Sequence, residues 1–328
     1  MKDIRVAAAQ FEPRDNDPAY NLGRIEALTR RAVEQGAEIV SFHECCISGY
    51  TFLQQFDAAG LARIAEPVPD GPSVRRLHEI ARKYGVIVMA GLVELAADER
   101  MFNCYVTVGP QGFITKYHKL HPFINPHLSP GEGYRVIDLD GVKAGFLICY
   151  DNNLPENPRI NALMGAEVVF APHVTGCVPS SMPGRGTVDR CLWDNRAAGP
   201  EASGALRREF DSMKGRGWLM RWLPTRAWEN GVYYVFTNNI GVDHDTIKPG
   251  FAMILDPFGE VMVESRELGD DVVVTTLTGD KVAASSGRRY IDARRPELYG
   301  KLAEPHPPGH KAVTKPGWEL KHADVRLP

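Results

Sequence analysis

The sequence predicts a layered α/β protein whose sheets are covered by helices. Two patterns predict it. Short apolar runs of strand length alternate along the chain with amphipathic helical stretches, and an apolar content of 44% over 328 residues is enough for a sizeable core. No repeat or low-complexity tract interrupts the alternation and no linker is evident, so residues 1–300 read as one domain followed by a tail at 301–328.

In chain order, the apolar runs predict strands over 4–10, 37–42, 86–93, 104–108 and 144–149, then over 168–171, 232–237, 251–255 and 272–276, with a strand-like run at 112–115. Residues 21–34 predict a helix, because Leu22, Ile25, Leu28, Ala32 and Val33 share one face and Gly36 stops it. Residues 74–83 repeat the pattern, with Leu77, Ile80 and Ala81 inward and Gly85 following. Pro307-Pro308-Gly309 and Lys315-Pro316-Gly317 mark the tail as turn-rich, either a loosely ordered terminus or an arm across an interface.

A net charge of −3 gives no electrostatic reason to expect nucleic acid or a polybasic membrane contact. No apolar run has membrane-spanning length, and the N-terminus turns charged by Glu12-Pro13-Arg14-Asp15, unlike a secretory signal. A small-molecule partner is expected. Six cysteines, Cys45, Cys46, Cys104, Cys149, Cys177 and Cys191, contain no CxxC pair and suit a reducing, cytoplasmic compartment.

Three segments carry chemistry. Cys149 closes the run Ala144-Gly145-Phe146-Leu147-Ile148 and precedes the polar stretch Asn152-Asn153-Leu154-Pro155-Glu156. That is a thiol at a strand-to-helix elbow, near backbone N–H groups that lower a thiol pKa and supply oxyanion donors. The same residue also reads as a buried small hydrophobe. Glu44 lies past the strand at 37–42, and Lys119 follows the run at 112–115. Singly, each reads as a solvated surface charge. Strand ends in layered α/β proteins converge on one rim, so the three can meet there. His118, His121, His127 and His173 invite a metal, but their spacing matches no standard zinc pattern, and none is expected. His173 should end its strand on the same rim as Cys149, as pocket lining or as a structural loop cap.

Together, Glu44-Cys45-Cys46-Ile47-Ser48-Gly49-Tyr50, Lys119-Leu120-His121-Pro122 and Cys149-Tyr150-Asp151-Asn152-Asn153-Leu154-Pro155-Glu156 resemble the nitrilase superfamily of carbon-nitrogen hydrolases, in the family's order. Val6-Ala7-Ala8-Ala9-Gln10, Gly165-Ala166-Glu167, Arg226-Ala227-Trp228-Glu229-Asn230-Gly231 and Arg294-Arg295-Pro296-Glu297-Leu298-Tyr299 extend the resemblance from about Ile4 to Tyr299. It implies a four-layer αββα sandwich that forms homodimers or larger assemblies, with Cys149 as nucleophile, Glu44 as general base, Lys119 at the oxyanion, and no metal or organic cofactor. Tyr50, His127, Tyr150, Asn152 and His173 are the residues expected to bind substrate.

Tyr150-Asp151 resembles the amidase and N-carbamoyl amidohydrolase branches, whereas Gly131-Glu132-Gly133 resembles a nitrilase turn. The expected substrate is therefore a small amide or N-carbamoyl compound, with a nitrile as the alternative and a weakly catalytic interaction protein as the reading from another class. Two departures stand out. The loop Phe123-Ile124-Asn125-Pro126-His127-Leu128-Ser129-Pro130-Gly131 lacks the second glutamate of many members, so that either His127 or Asn125 takes over its hydrogen bonds or the site is tuned to an unusual substrate. Residues 174–218 resemble an insertion in which Arg185, Arg190, Trp193, Asp194, Arg196 and Arg207 would form either a lid that recognises a polar substituent or an oligomer contact.

Overall fold

The computed structural model describes residues 1–307. The remainder of the predicted tail lies outside the described residues. The strands are β1 (Ile4–Gln10), β2 (Ile39–Ser41), β3 (Ile87–Leu95), β4 (Met101–Gly109), β5 (Gly112–His118), β6 (Val136–Asp138), β7 (Lys143–Phe146), β8 (Val168–His173), β9 (Tyr233–Asn238), β10 (Ile240–Asp243), β11 (Thr246–Pro249), β12 (Met253–Leu255), β13 (Val261–Glu264) and β14 (Asp271–Leu277). They form two six-stranded sheets, ordered β14-β1-β2-β3-β4-β5 and β13-β12-β9-β8-β7-β6, and a β10-β11 hairpin. In each sheet the three central strands are parallel, β1-β2-β3 in one and β7-β8-β9 in the other, and the flanking pairs are antiparallel.

Alternation along the strands stacks the layers. On β1, Ile4, Val6 and Ala8 face inward to a core shared with Phe146, Val168 and Phe170 of the second sheet. Ala7 and Ala9 point the other way, into a core with Leu22, Ile25 and Leu28 of helix α1 (Pro18–Glu34), and Leu77 and Ile80 supply the same face from further along the chain. After the short helix α2 (Ala58–Ile64), those two lie on α3 (Pro72–Tyr84). The second sheet is backed by α4 (Glu156–Leu163) and, beyond α5 (Arg190–Asp194) and α6 (Pro200–Asp211), by α7 (Arg216–Asn230), whose Leu219, Leu223 and Ala227 are buried. The order of layers is helix, sheet, sheet, helix, the four-layer αββα sandwich. Helices α8 (Gly279–Ala284) and α9 (Ser286–Asp292) close the chain against α7.

Local chemistry explains the helix ends. Asp17 accepts the Tyr20 N–H at 3.0 Å, with Pro18 next to it at the first helical position of α1. Gly85 ends α3 in the left-handed region at φ +70°, its N–H on the Ala81 carbonyl. The expected strand at 144–149 stops at Phe146, because the Ile148 N–H turns to Asp151 Oδ2 at 3.2 Å. Strands β6 and β13 and the β10-β11 hairpin escaped the apolar pattern. The first two are half-buried edges of three and four residues, and the hairpin strands have four residues each. No helix among the described residues is long and apolar enough to cross a membrane.

Candidate active site

The carboxyl end of β2 places Glu44. Phe42, just past β2, has its carbonyl fixed by the hydroxyls of Tyr105 and Thr237, each at 2.8 Å, which pins the exit of the strand. The chain then turns sharply, with Cys45 at φ +44° and its N–H so close to β3 that a Cβ on Gly91 would lie 2.2 Å from it. Glu44, 1% exposed, accepts from Lys119 Nζ and Asn103 Nδ2 on Oε1, both at 2.6 Å, and from the Val174 N–H on Oε2 at 3.1 Å. Asn103 reaches the site because β4 runs antiparallel to β3, which puts its start on the rim where the parallel strands end.

Lys119 follows β5 and is equally buried. Its ammonium also donates to Tyr50 Oη at 3.3 Å and stands 4.7 Å from the centre of the Phe123 ring. Burial is the largest influence and works against its charge, but Glu44, Cys149 and Asp151 together outweigh it, and the pKa is raised above its ordinary value. The ion pair is dry, so removing either partner would leave a buried charge unpaired.

Cys149 sits at the start of a 3₁₀ turn (Cys149–Asn153) at φ +48°, a backbone region rarely used by a residue with a Cβ. Its thiol, 6% exposed, faces Glu44 and the Val174 carbonyl, the latter at 3.9 Å. Burial first, and then the Glu44 carboxylate, push the thiol up to about 12, with Lys119 opposing them. The resting residue is a neutral thiol beside a carboxylate, not the low-pKa thiolate expected of a helix-start cysteine.

Asp151 ties the elbow to the lysine segment. Its buried carboxylate accepts from Tyr117 Oη at 3.0 Å and from the N–H groups of Leu120 at 3.1 Å and His121 at 2.9 Å. The strained turn at Cys149 and the loop bearing Lys119 are therefore held by one side chain.

The other expected site residues divide. Tyr50 and Tyr150 line, with Cys149, a cavity of about 530 Å³, within the usual range for small-molecule sites. Asn152 does not line it: Nδ2 donates to the carbonyls of Leu147 at 2.8 Å and Cys149 at 3.1 Å, and Oδ1 accepts from Tyr234 Oη at 2.8 Å, so the amide braces the turn. His173 lies behind the cavity wall, its ring 5.7 Å from that of Trp222, with Nδ1 on the Ala171 carbonyl at 2.8 Å. His127 is exposed and outside the cavity lining. Asn125 is engaged with the carbonyls of Leu53 and Phe56 at 2.8 Å. Neither hydrogen-bonds to Lys119; Tyr50 does.

The stretch 174–218 is broken by helices, not one lid. It contains α5 and α6, and α7 begins inside it at Arg216. Trp193 and Phe210 are buried against the body, Arg190 pairs with Asp194 at 2.9 Å, Arg196 stacks on Trp193 at 3.6 Å, and Arg207 bonds the Arg266 carbonyl. Of the six residues expected in the lid, only Arg185 lines the cavity. Among the described residues one group, Glu94, Cys104 and His118, brings metal-type ligand atoms within 4.8 Å of one another. Glu94 there is already bonded to Lys116 and to His118, the latter at 2.6 Å.

Sequence reasoning missed Asn103, the Val174 N–H and the bridging role of Asp151. For Asn103 the available signal was an amide inside an otherwise apolar run, Met101-Phe102-Asn103-Cys104.

Residues 5–285 match the carbon-nitrogen hydrolase family, and the chain belongs to it. It is therefore an enzyme that hydrolyses non-peptide carbon–nitrogen bonds. The chain is 30% identical over 277 residues to a nitrilase of Pyrococcus abyssi, covering 84% of this chain and 89% of that one. It is 30% identical over 317 residues to an (R)-stereoselective amidase of a Pseudomonas species, covering 94% and 98%. Among solved structures it resembles a mutant of the nitrilase-superfamily amidase from Nesterenkonia AN1, with a TM-score of 0.67, 22% identity and 91% and 97% of the two chains covered.

Proposed function

We propose that Cys149 is the nucleophile, Glu44 the general base and acid, and Lys119 the oxyanion cation of a hydrolase for small amides or N-carbamoyl compounds. The observation that carries this is the thiol facing Glu44 at the cavity floor, with its pKa pushed up to about 12. A thiol that high is not ionised near neutrality, so attack requires a base in contact with it, and Glu44 is that base.

As Sγ bonds to the carbonyl carbon, its proton passes to Glu44 and the C=O electron pair moves to oxygen. There the Lys119 ammonium and the Tyr150 N–H stabilise it. Collapse breaks the C–N bond as Glu44 returns the proton to the departing nitrogen, leaving a thioester on Cys149. Water, losing a proton to Glu44, attacks the thioester carbon, and the carboxylic or carbamic acid leaves with return of the proton to sulfur. The Pseudomonas amidase supports the amide reading. The Pyrococcus nitrilase supports a second one, in which the same thiol attacks a nitrile carbon.

The reading extends to assembly and compartment. Leu163 on α4, Met164 after it, Trp228 on α7 and Tyr290 on α9 are exposed on the outer helical layer and form the face through which two copies pair. All six cysteines are free, as in a reducing cytoplasm. The deciding experiment exposes the protein briefly to amides, N-carbamoyl compounds and nitriles, measuring ammonia release and the intact mass after an acid quench. An acyl adduct mapped to Cys149, absent from Cys149→Ala, is expected. Ammonia release by Cys149→Ala would overturn the assignment.

A further inference from the structure

Arg185 occupies an unusual position for a cation. It lines the same cavity as Cys149 and stacks on Trp218, with its guanidinium carbon 4.3 Å from the ring centre. Its Nε is buried without a hydrogen-bond partner, and among the described residues no carboxylate pairs with it. Gly184 and Gly186, at φ +79° and +153°, give the chain the turns that present this one side chain.

The rest of the lining sharpens the point. Among the described residues no Asp or Glu lines the cavity. The other arginine there, Arg226, is spent on the carbonyls of Asn152 and Asn153, both at 3.1 Å, and on Glu229. Trp222, also in the lining, leaves its Nε1–H buried and unpartnered. Partial burial of a guanidinium that no carboxylate pairs is costly; the Trp218 ring offsets part of that cost, and an anion supplied from outside offsets more. A planar fork held flat on an indole is suited to a carboxylate.

We propose, building on the hydrolase reading above, that Arg185 binds a carboxylate on the substrate, so that this enzyme's substrates are amides or ureido compounds carrying a carboxylate away from the scissile carbon–nitrogen bond. Two sources share that chemistry, the monoamides of dicarboxylic acids and the N-carbamoyl amino acids. A cationic amine substituent is disfavoured by the same residue.

The test compares kcat/KM within two matched pairs: succinamate against butyramide, and N-carbamoyl-β-alanine against propylurea. Whichever source is correct, its anionic member is expected to exceed its neutral partner by roughly 10²-fold, the scale of a hydrogen bond between charged groups at a partly buried site. Arg185→Met should bring that ratio close to one, chiefly through KM, and Arg185→Lys should fall between, since it keeps the charge and loses the fork. Equal rates within both pairs in the wild type, or a ratio unmoved by Arg185→Met, would overturn the inference while leaving the hydrolase reading intact. If no compound is hydrolysed, the hydrolase reading fails, and calorimetry decides the inference separately. Succinamate binding by Cys149→Ala that is lost in Cys149→Ala with Arg185→Met sustains it, and absence of binding by Cys149→Ala overturns it.

Discussion

Asp151 Oδ1 accepts the backbone N–H of His121 at 2.9 Å and lies 2.8 Å from Nδ1 of the same residue. Two residues from Cys149, this carboxylate fixes the loop that delivers Lys119. Asp151→Asn keeps the size but turns one acceptor oxygen into a donor facing other donors. The expected outcome is a fall in kcat of roughly ten- to a hundredfold, the usual scale for a misplaced catalytic group. Alkylation of Cys149 should change less, because the thiol itself is untouched. Steady-state kinetics with a timed iodoacetamide reaction measures both, and unchanged kcat would remove the bridge from the mechanism.

The Cys149 thiol offers a pH test with a definite sign. Raised to about 12 by burial and by Glu44, it should alkylate ever faster up to pH 10, with no plateau near the ordinary thiol value of about 8.5. Lys119 is the group that lowers it, so Lys119→Met should slow alkylation at every pH. Turnover should fall further, by about 10² or more, because the oxyanion contact is lost as well. Equal losses in the two assays would mean that Lys119 acts only on the thiol.

His43 and His173 predict how stability follows pH. Both are buried, and burial holds each down to about 3. In the unfolded chain they titrate near 6.5, so between those values the unfolded state binds more protons. Their contribution is complete above 6.5 and is lost as the pH falls toward 3. The urea midpoint should therefore drop from pH 7 to pH 5. Among the described residues His43 has no hydrogen-bond partner on either nitrogen, and its ring lies 4.6 Å from that of Phe11, so His43→Phe should flatten that slope. A variant as acid-sensitive as the wild type would show that other groups set it.

The layering was legible because β1, β3, β8 and β9 are continuous apolar runs, and nothing else satisfies such runs in a chain of this length. Glu44, Lys119 and Cys149 were legible because each stands just past a strand. What the chain order hid is whatever arrives from a strand running the other way or from the backbone. Asn103 enters from the start of β4, and the third contact on Glu44 is an N–H with no side-chain signature. Asn152 was misplaced because an amide next to a nucleophile looks like a substrate ligand, while its actual acceptors and donor are the turn's own carbonyls and Tyr234. The helices in 174–218 were masked by glycine and proline, of which Gly199-Pro200 start α6 and Gly204 lies inside it.

The absent second glutamate yields the final prediction. Lys119 needs an orienting acceptor besides Glu44, and neither His127 nor Asn125 of the loop after it is one, since His127 is exposed and Asn125 is committed to Leu53 and Phe56. Tyr50 Oη, 3.3 Å from Lys119 Nζ, takes that place, with Phe123 as an apolar wall. Tyr50→Phe should leave the ion pair with Glu44 formed but the ammonium free to swing. The expected result is a fall in kcat of about tenfold with little change in melting temperature, as for one long hydrogen bond from a charged donor. His127→Ala should leave kinetics and stability as they are, and His127→Glu should bring no gain, because position 127 does not reach the lysine. A rate loss in His127→Ala as large as that in Tyr50→Phe would return the role to the loop and show that it closes over Lys119 when substrate binds.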